Sequence, residues 1–199
     1  MRKIKTLIFV PLLLSGYIQA EELQKPRIIE TRPVAYPADA KKAGHQGTVV
    51  VEVKILANDT IATPVVKTSS RSPILDQAAI ATVQQTKFAH GTDSDGNPAD
   101  TTIAIPVKFR KDSSVDLNEK LCDDFVVDYQ WFAQTYPELK PQKMTIYSLT
   151  LGLLVMQKNN IDEKLTLAKN YDKAFLKTYA DCETNLTSKF MPTLLGNIK

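Results

Sequence analysis

Between Gly47 and Phe109 the hydrophobic period changes from that of a strand to that of a helix and back, and no other feature constrains the fold as strongly. Val49, Val51, Val53 and Ile55 fall on one face of a first strand, with Thr48, Val50, Glu52, Lys54 and Leu56 on the other. One buried and one mostly wet face is the antiparallel pattern. Asn58 to Thr60 is turn chemistry, and Ile61 to Thr68 predicts the returning strand. Pro64 has no N–H to give to a ladder, so this strand is expected at a sheet edge or kinked there. Ser72 reads as a helix N-cap, Pro73 as the first helical residue and Asp76 as a first-turn acid. Leu75, Ala79 and Val83, flanked by Ala78 and Thr82, form a narrow face suited to lying closely on a sheet. The helix is expected to fade near Thr86, with Phe88 as its core anchor. Thr101 to Arg110 alternates again with Ile103, Ile105, Val107 and Phe109 inward, and Pro106 gives this strand a free edge as well.

What precedes this stretch reads as delivery. Residues 1–20 have a basic start, an apolar run from Leu7 to Leu14, and Ile18 and Ala20 before Glu21, the layout of a secretory signal peptide cleaved after Ala20. The competing reading is an uncleaved anchor; against it, the run is short, Pro11 interrupts it, and a full span takes roughly 20 residues. Arg2, Lys3 and Lys5 account for the whole formal charge of +3, so the rest of the chain is balanced and carries no electrostatic footprint for nucleic acid or an anionic membrane. Residues 21–32 are an extended lead-in, because Pro26 and Pro33 oppose a helix. Pro37 opens a short helix over Ala38 to Ala43 that Gly44 ends, and Tyr36 is the apolar anchor of this region.

After Lys111 the period turns helical and stays so. Leu117, Leu121, Phe125, Tyr129 and Phe132 share one face, Met144 to Met156 reads as a buried helix too short to span a bilayer, and Leu165, Ala168, Tyr171, Phe175, Tyr179, Cys182 and Leu186 follow helical spacing behind an Asp162 cap. Cys122 and Cys182 lie on or beside the stripes of the first and third helices. In an exported chain they predict a disulfide; two buried thiols are the alternative, and zinc would need more ligands than two cysteines and two distant histidines provide.

Groups that suggest chemistry each have a plain reading. His45 beside a glycine turn and His90 in a loop read as surface or satisfied histidines, with no triad motif around either. The acids between His90 and Pro98 read as a turn, since their spacing lacks the EF-hand pattern. Asp123, Asp124 and Asp128 read as a solvated helix face, and Phe125, Tyr129, Trp131, Phe132 and Tyr136 as core, with Trp131 expected off the stripe and exposed. No general base, nucleophile, metal set or cofactor motif is present, so the chain is not read as an enzyme.

Tyr36 to Leu56 (YPADAKKAGHQGTVVVEVKIL), Ser69 to Phe88 (SSRSPILDQAAIATVQQTKF) and Asp95 to Phe109 (DGNPADTTIAIPVKF) resemble the C-terminal domain of the TonB family of periplasmic energy transducers. The resemblance covers about residues 30–110. It implies an α+β fold, with an α-β-β-α-β domain over 33–112 carrying a small antiparallel sheet; it does not extend to residues 113–199, where the helical spacing predicts an all-α three-helix unit. It implies a periplasmic, bacterial location and a partner that is an envelope protein or a receptor peptide, held by strand addition to a sheet edge. The residues that would carry this are Thr102, Ala104, Pro106, Lys108 and Arg110 on the third strand, with Val34, Ala35 and Tyr36 nearby. A homodimer, energy transduction for outer-membrane transport, and a scaffold role for the helices are the other functions open to such a chain.

Overall fold

A computed structural model describes residues 24–198, so the expected signal peptide and its cleavage site lie outside the described residues. The elements are β1 (Arg27–Glu30), α1 (Ala38–Lys42), β2 (Gly47–Ile55), β3 (Val65–Thr68), α2 (Pro73–Gln84), β4 (Lys87–Ala89), β5 (Gly91–Thr92), β6 (Pro98–Ala99), β7 (Thr101–Phe109), α3 (Cys122–Thr135), α4 (Thr145–Met156), α5 (Ile161–Thr184) and α6 (Phe190–Asn197). The alternation over 47–109 is realised as a three-stranded antiparallel sheet in the order β3-β2-β7. Both outer strands lie at sheet edges: β7 carries Pro106 within it, and Pro64 immediately precedes β3. The returning strand is shorter than its pattern: Ile61 makes only an isolated bridge to Ile55, and pairing resumes at Val65, beyond Pro64.

The helix α2 covers one face of this sheet with Leu75, Ala79 and Val83, which are buried with Val49, Val51, Val53, Ile55, Phe88, Val107 and Phe109. The Ser72 hydroxyl accepts from the Leu75 amide and Pro73 stands at the first position. The lead-in is extended as expected and pairs β1 with β4. The acids of the 90–98 stretch build the β5–β6 turn: the Asp93 carboxylate accepts from the amides of Asp95 and Asn97, each at 2.9 Å, and Gly96 takes a φ of +79°.

The helices form a second core around Phe125, Phe132, Tyr171, Phe175, Phe190 and Leu194. Phe125 meets the rings of Phe175 at 5.4 Å and Phe190 at 4.5 Å. Cys122 at the start of α3 is bonded to Cys182 near the end of α5. Several details differ from expectation. A fourth helix, α6, closes the core after a turn at 185–189. Leu117 lies in a separate 3-10 turn over Asp116–Asn118, which breaks the stripe and leaves Leu121 exposed. Asn160, not Asp162, caps α5, its side-chain oxygen accepting from the Glu163 amide at 2.9 Å. The buried face of α5 runs through Leu167, Tyr171, Ala174, Phe175, Thr178 and Cys182, whereas Leu165, Ala168 and Leu186 are exposed. Only part of α4 is buried: Ile146, Tyr147, Thr150 and Leu154 face the core, and Met156 is exposed. No helix among the described residues is long and apolar enough to cross a membrane.

Candidate functional site

Among the described residues, no strand lies beside the outer edge of β7 in the sheet. All nine residues of β7 pair in unbroken register with β2, from Thr101 opposite Ile55 to Phe109 opposite Gly47. Pro106 lies within that run, opposite Val50. A proline in a continuous ladder must turn its nitrogen away from the partner strand. Because antiparallel residues alternate between facing in and facing out, Thr102, Ala104 and Lys108 turn their N–H and C=O groups outward with it. The same four side chains are exposed, as is Arg110, while Val107 and Phe109 are buried beneath the sheet. Neither Lys108 nor Arg110 has an ion pair among the described residues.

Both ends of this strand are fixed. At its start the Asp100 carboxylate receives the Lys54 ammonium at 2.9 Å and the Ala57 amide at 3.1 Å; these bonds, the lysine's first, hold its pKa below the usual carboxylate range. At its end Tyr36 packs edge-on to Phe109 with centroids 5.5 Å apart, and its hydroxyl donates to the His45 carbonyl. Val34 and Ala35 are exposed, and Ala35 lines a cleft whose other wall is Ala78, Ala81, Thr82 and Gln85 of α2. The residues proposed from sequence therefore divide. Thr102 through Lys108 form one continuous edge, Tyr36 is committed to the core beneath that edge, and Ala35 faces the helix.

Both histidines are satisfied. His45 shares a 2.8 Å hydrogen bond with the Ser72 hydroxyl, and His90 one of 2.7 Å with Asp59. Trp131 is half-buried rather than off-stripe: its indole stacks on the His45 ring and meets Tyr136 edge-on. It belongs to a junction between the two cores. There the Tyr136 hydroxyl donates to the Ser70 carbonyl at 2.7 Å, and Arg71 donates to the Thr135 carbonyl and Glu138. Gly44, with φ +76°, packs flush against α3; a Cβ would sit 3.0 Å from the Val127 carbonyl oxygen and 3.1 Å from Asp128 Oδ1.

The acids of α3 are the clearest correction. Asp123 is exposed, but Asp128 is fully buried, and Asp124 is partly covered. Asp128 receives Lys111 at 2.6 Å and Lys120 at 2.7 Å; Lys120 also reaches Asp112 at 2.9 Å and Asp124 at 2.5 Å. Lys111 bonds Asp124 in turn. The spacing of Lys120, Asp124 and Asp128 at successive fourth residues was the available signal. Read with Lys111, which follows β7, it points to a shared network rather than a wet face.

Residues 32–110 match the family model described as Gram-negative bacterial TonB protein C-terminal. Two curated relatives, both named Protein TonB, from Xanthomonas campestris pv. campestris strains B100 and ATCC 33913, are 36% identical over 77 residues. That alignment covers 39% of this chain and 34% of each relative, so the chain spans about a third of the length of the curated relatives it matches.

Proposed function

We propose that this chain, whose residues 32–110 match the TonB C-terminal family model, is a periplasmic binding module that captures an extended segment of an envelope protein by strand addition to β7. The observation that carries this reading is the outward edge of Thr102, Ala104, Pro106 and Lys108 on a strand held in register along its whole length. An incoming strand satisfies the outward N–H and C=O groups, and alternate side chains contact the exposed face. The role needs positioned backbone rather than a nucleophile, base or metal, and the module acts by binding, not by turnover. Energy transduction for outer-membrane transport, which the resemblance to the TonB family implies, is the alternative.

The test is a titration of the isotope-labelled chain with extended peptides from periplasmic segments of outer-membrane receptors. Amide shifts are expected at Thr102, Ala104 and Lys108, with slowed exchange at the same sites. Shifts confined to residues 122–197 would reject the edge.

A second reading rests on the junction. A helical unit joined to the sheet by buried ion pairs is held at a fixed attitude, as a scaffold requires. Deleting residues 113–199 is expected to remove part of the chain's interaction profile in envelope extracts; an unchanged profile would exclude this reading.

A further inference from the structure

The network between β7 and α3 contains three carboxylates, Asp112, Asp124 and Asp128, and two ammonium groups, Lys111 and Lys120. Carboxylate oxygens from all three acids lie within 4.8 Å of one another. The side chains of Lys111, Lys120, Asp112 and Asp128 are at most 5% exposed. One atom is left over. Asp112 Oδ2 is buried and has no hydrogen-bond partner, although its sister Oδ1 accepts from Lys120. A set in which only Asp124 reaches solvent, with one negative charge in excess and one buried acceptor without a donor, is costly, and a cation that also donates a hydrogen bond removes both costs. Oδ2 itself is buried, although Asp112, Asp124, Lys111 and Lys120 border an open cleft; a proton supplies both the positive charge and the donor at that atom. The proton is the cation that fits.

We propose that this network is a proton-binding site that tightens the attachment of the helices to the sheet as the surroundings acidify. Protonation of one carboxyl leaves two acids against two ammonium groups, relieves the repulsion among the three acids, and supplies the missing O–H donor. The electrostatics agree with the geometry. Burial pushes the Asp128 carboxyl up to about 6 despite Lys120 and Lys111, while those same lysines hold Asp124, also partly buried, below its ordinary value. Burial opposes the charge on Lys120, but Asp128 and Asp112 outweigh it, so the ammonium stays charged throughout.

Other titratable groups surround the network. From the lead-in, the Tyr36 phenol is held neutral by burial and by Asp128 and Asp112. Lys41 and Lys42 of α1 line the adjoining cleft with Asp116 and Glu119. Asp116 is held by Ser113, and Glu119 by Lys189. Asp123 accepts from the Asp124 amide. His45 and His90 are bonded elsewhere.

The sign follows from linkage. An acid whose folded-state pKa is raised binds more protons folded than unfolded between about pH 4, the ordinary aspartate value, and its raised value, so stability grows as pH falls through that window. The experiment follows the aspartate 13Cγ resonances of the full chain from pH 8 to pH 4, with thermal midpoints across the same range. One buried aspartate is expected to titrate near pH 6, with the thermal midpoint higher at pH 5 than at pH 7.5. Amide protection at Gly44, His45 and Val127 is expected to rise in parallel. In Asp112→Asn, which balances the charges and places an amide where Oδ2 stood, the titration should move to the ordinary carboxylate range and the thermal midpoint should lose its dependence over this window. Carrying His45→Gln and His90→Gln in the background removes the imidazoles as a source. No aspartate midpoint above pH 5, or an unchanged pH dependence in Asp112→Asn, overturns the proposal. The wild-type titration decides it even if the variant fails to fold.

Discussion

The imidazole of His45, in the turn after α1, stacks on the indole of Trp131 in α3, with ring centroids 5.4 Å apart and planes inclined by 25°. The chain has one tryptophan, so its fluorescence reports directly on the junction between the two cores. His45→Ala is expected to shift that emission to the red and to cost about 1 kcal/mol, the typical worth of an aromatic pair beyond area burial. Chemical denaturation followed by fluorescence and by far-ultraviolet dichroism measures both. An unmoved emission maximum would show that the stack does not persist in solution.

Gly44 faces a stricter demand. Its positive φ disfavours any side chain by about 1–2 kcal/mol, and a methyl group would press on backbone of α3 that has little freedom to move. Gly44→Ala is therefore expected to destabilise the chain by more than that conformational term alone. A urea midpoint equal to wild type would contradict the close packing of α1 on α3.

Pro106 offers a test of edge orientation. Pro106→Val introduces an N–H that should point to solvent, so its exchange is expected to be fast in the free chain and slowed when a strand adds. The variant should gain little intrinsic stability and should associate with itself more readily, because the proline no longer interrupts the edge. If the new amide is protected from the outset, the residue faces β2 and the outward assignment of Thr102, Ala104 and Lys108 is wrong.

Replacing Cys122 and Cys182 by serine opens a bridge between residues 60 apart, for which the chain-entropy relation gives about 4 kcal/mol. The loss is expected to fall on the helical core, which the bridge ties from α3 to α5. Thermal unfolding with amide exchange should show α3, α5 and α6 losing protection while β2 and β7 keep theirs. Equal loss in the sheet would mean that the two cores unfold as one.

The sheet was legible because its information is local. The alternating valines of β2, the Ser72–Pro73 helix start, Pro106 on the β7 edge and Pro64 just before the edge strand β3 each act within a few residues, and each is realised. The candidate edge follows from the same pattern, since Pro106 alone dictates which groups face outward. The junction was not legible because its partners are brought together only by folding. Asp128 reads as solvated when taken with Asp123 and Asp124, and it becomes buried only when Lys111, beyond the end of β7, meets Lys120 above α3. Trp131 was misplaced for the same reason, its partner His45 being in the other core. The fourth helix was missed because the stripe of α5 was continued to Leu186, past the turn where the chain reverses.

The unequal lengths of the two ladders on β2 have a mechanical consequence. Hydrogen bonds in an antiparallel pair lie across the strands, so a pull along a strand loads them side by side and they must fail together. β7 meets such a pull with nine paired residues, its first end tied through Asp100 and its last through Lys111. β3 has four residues and an irregular register. Tension delivered to the β7 edge is thus met in shear by the strongest seam of the sheet, while the opposite edge would yield first.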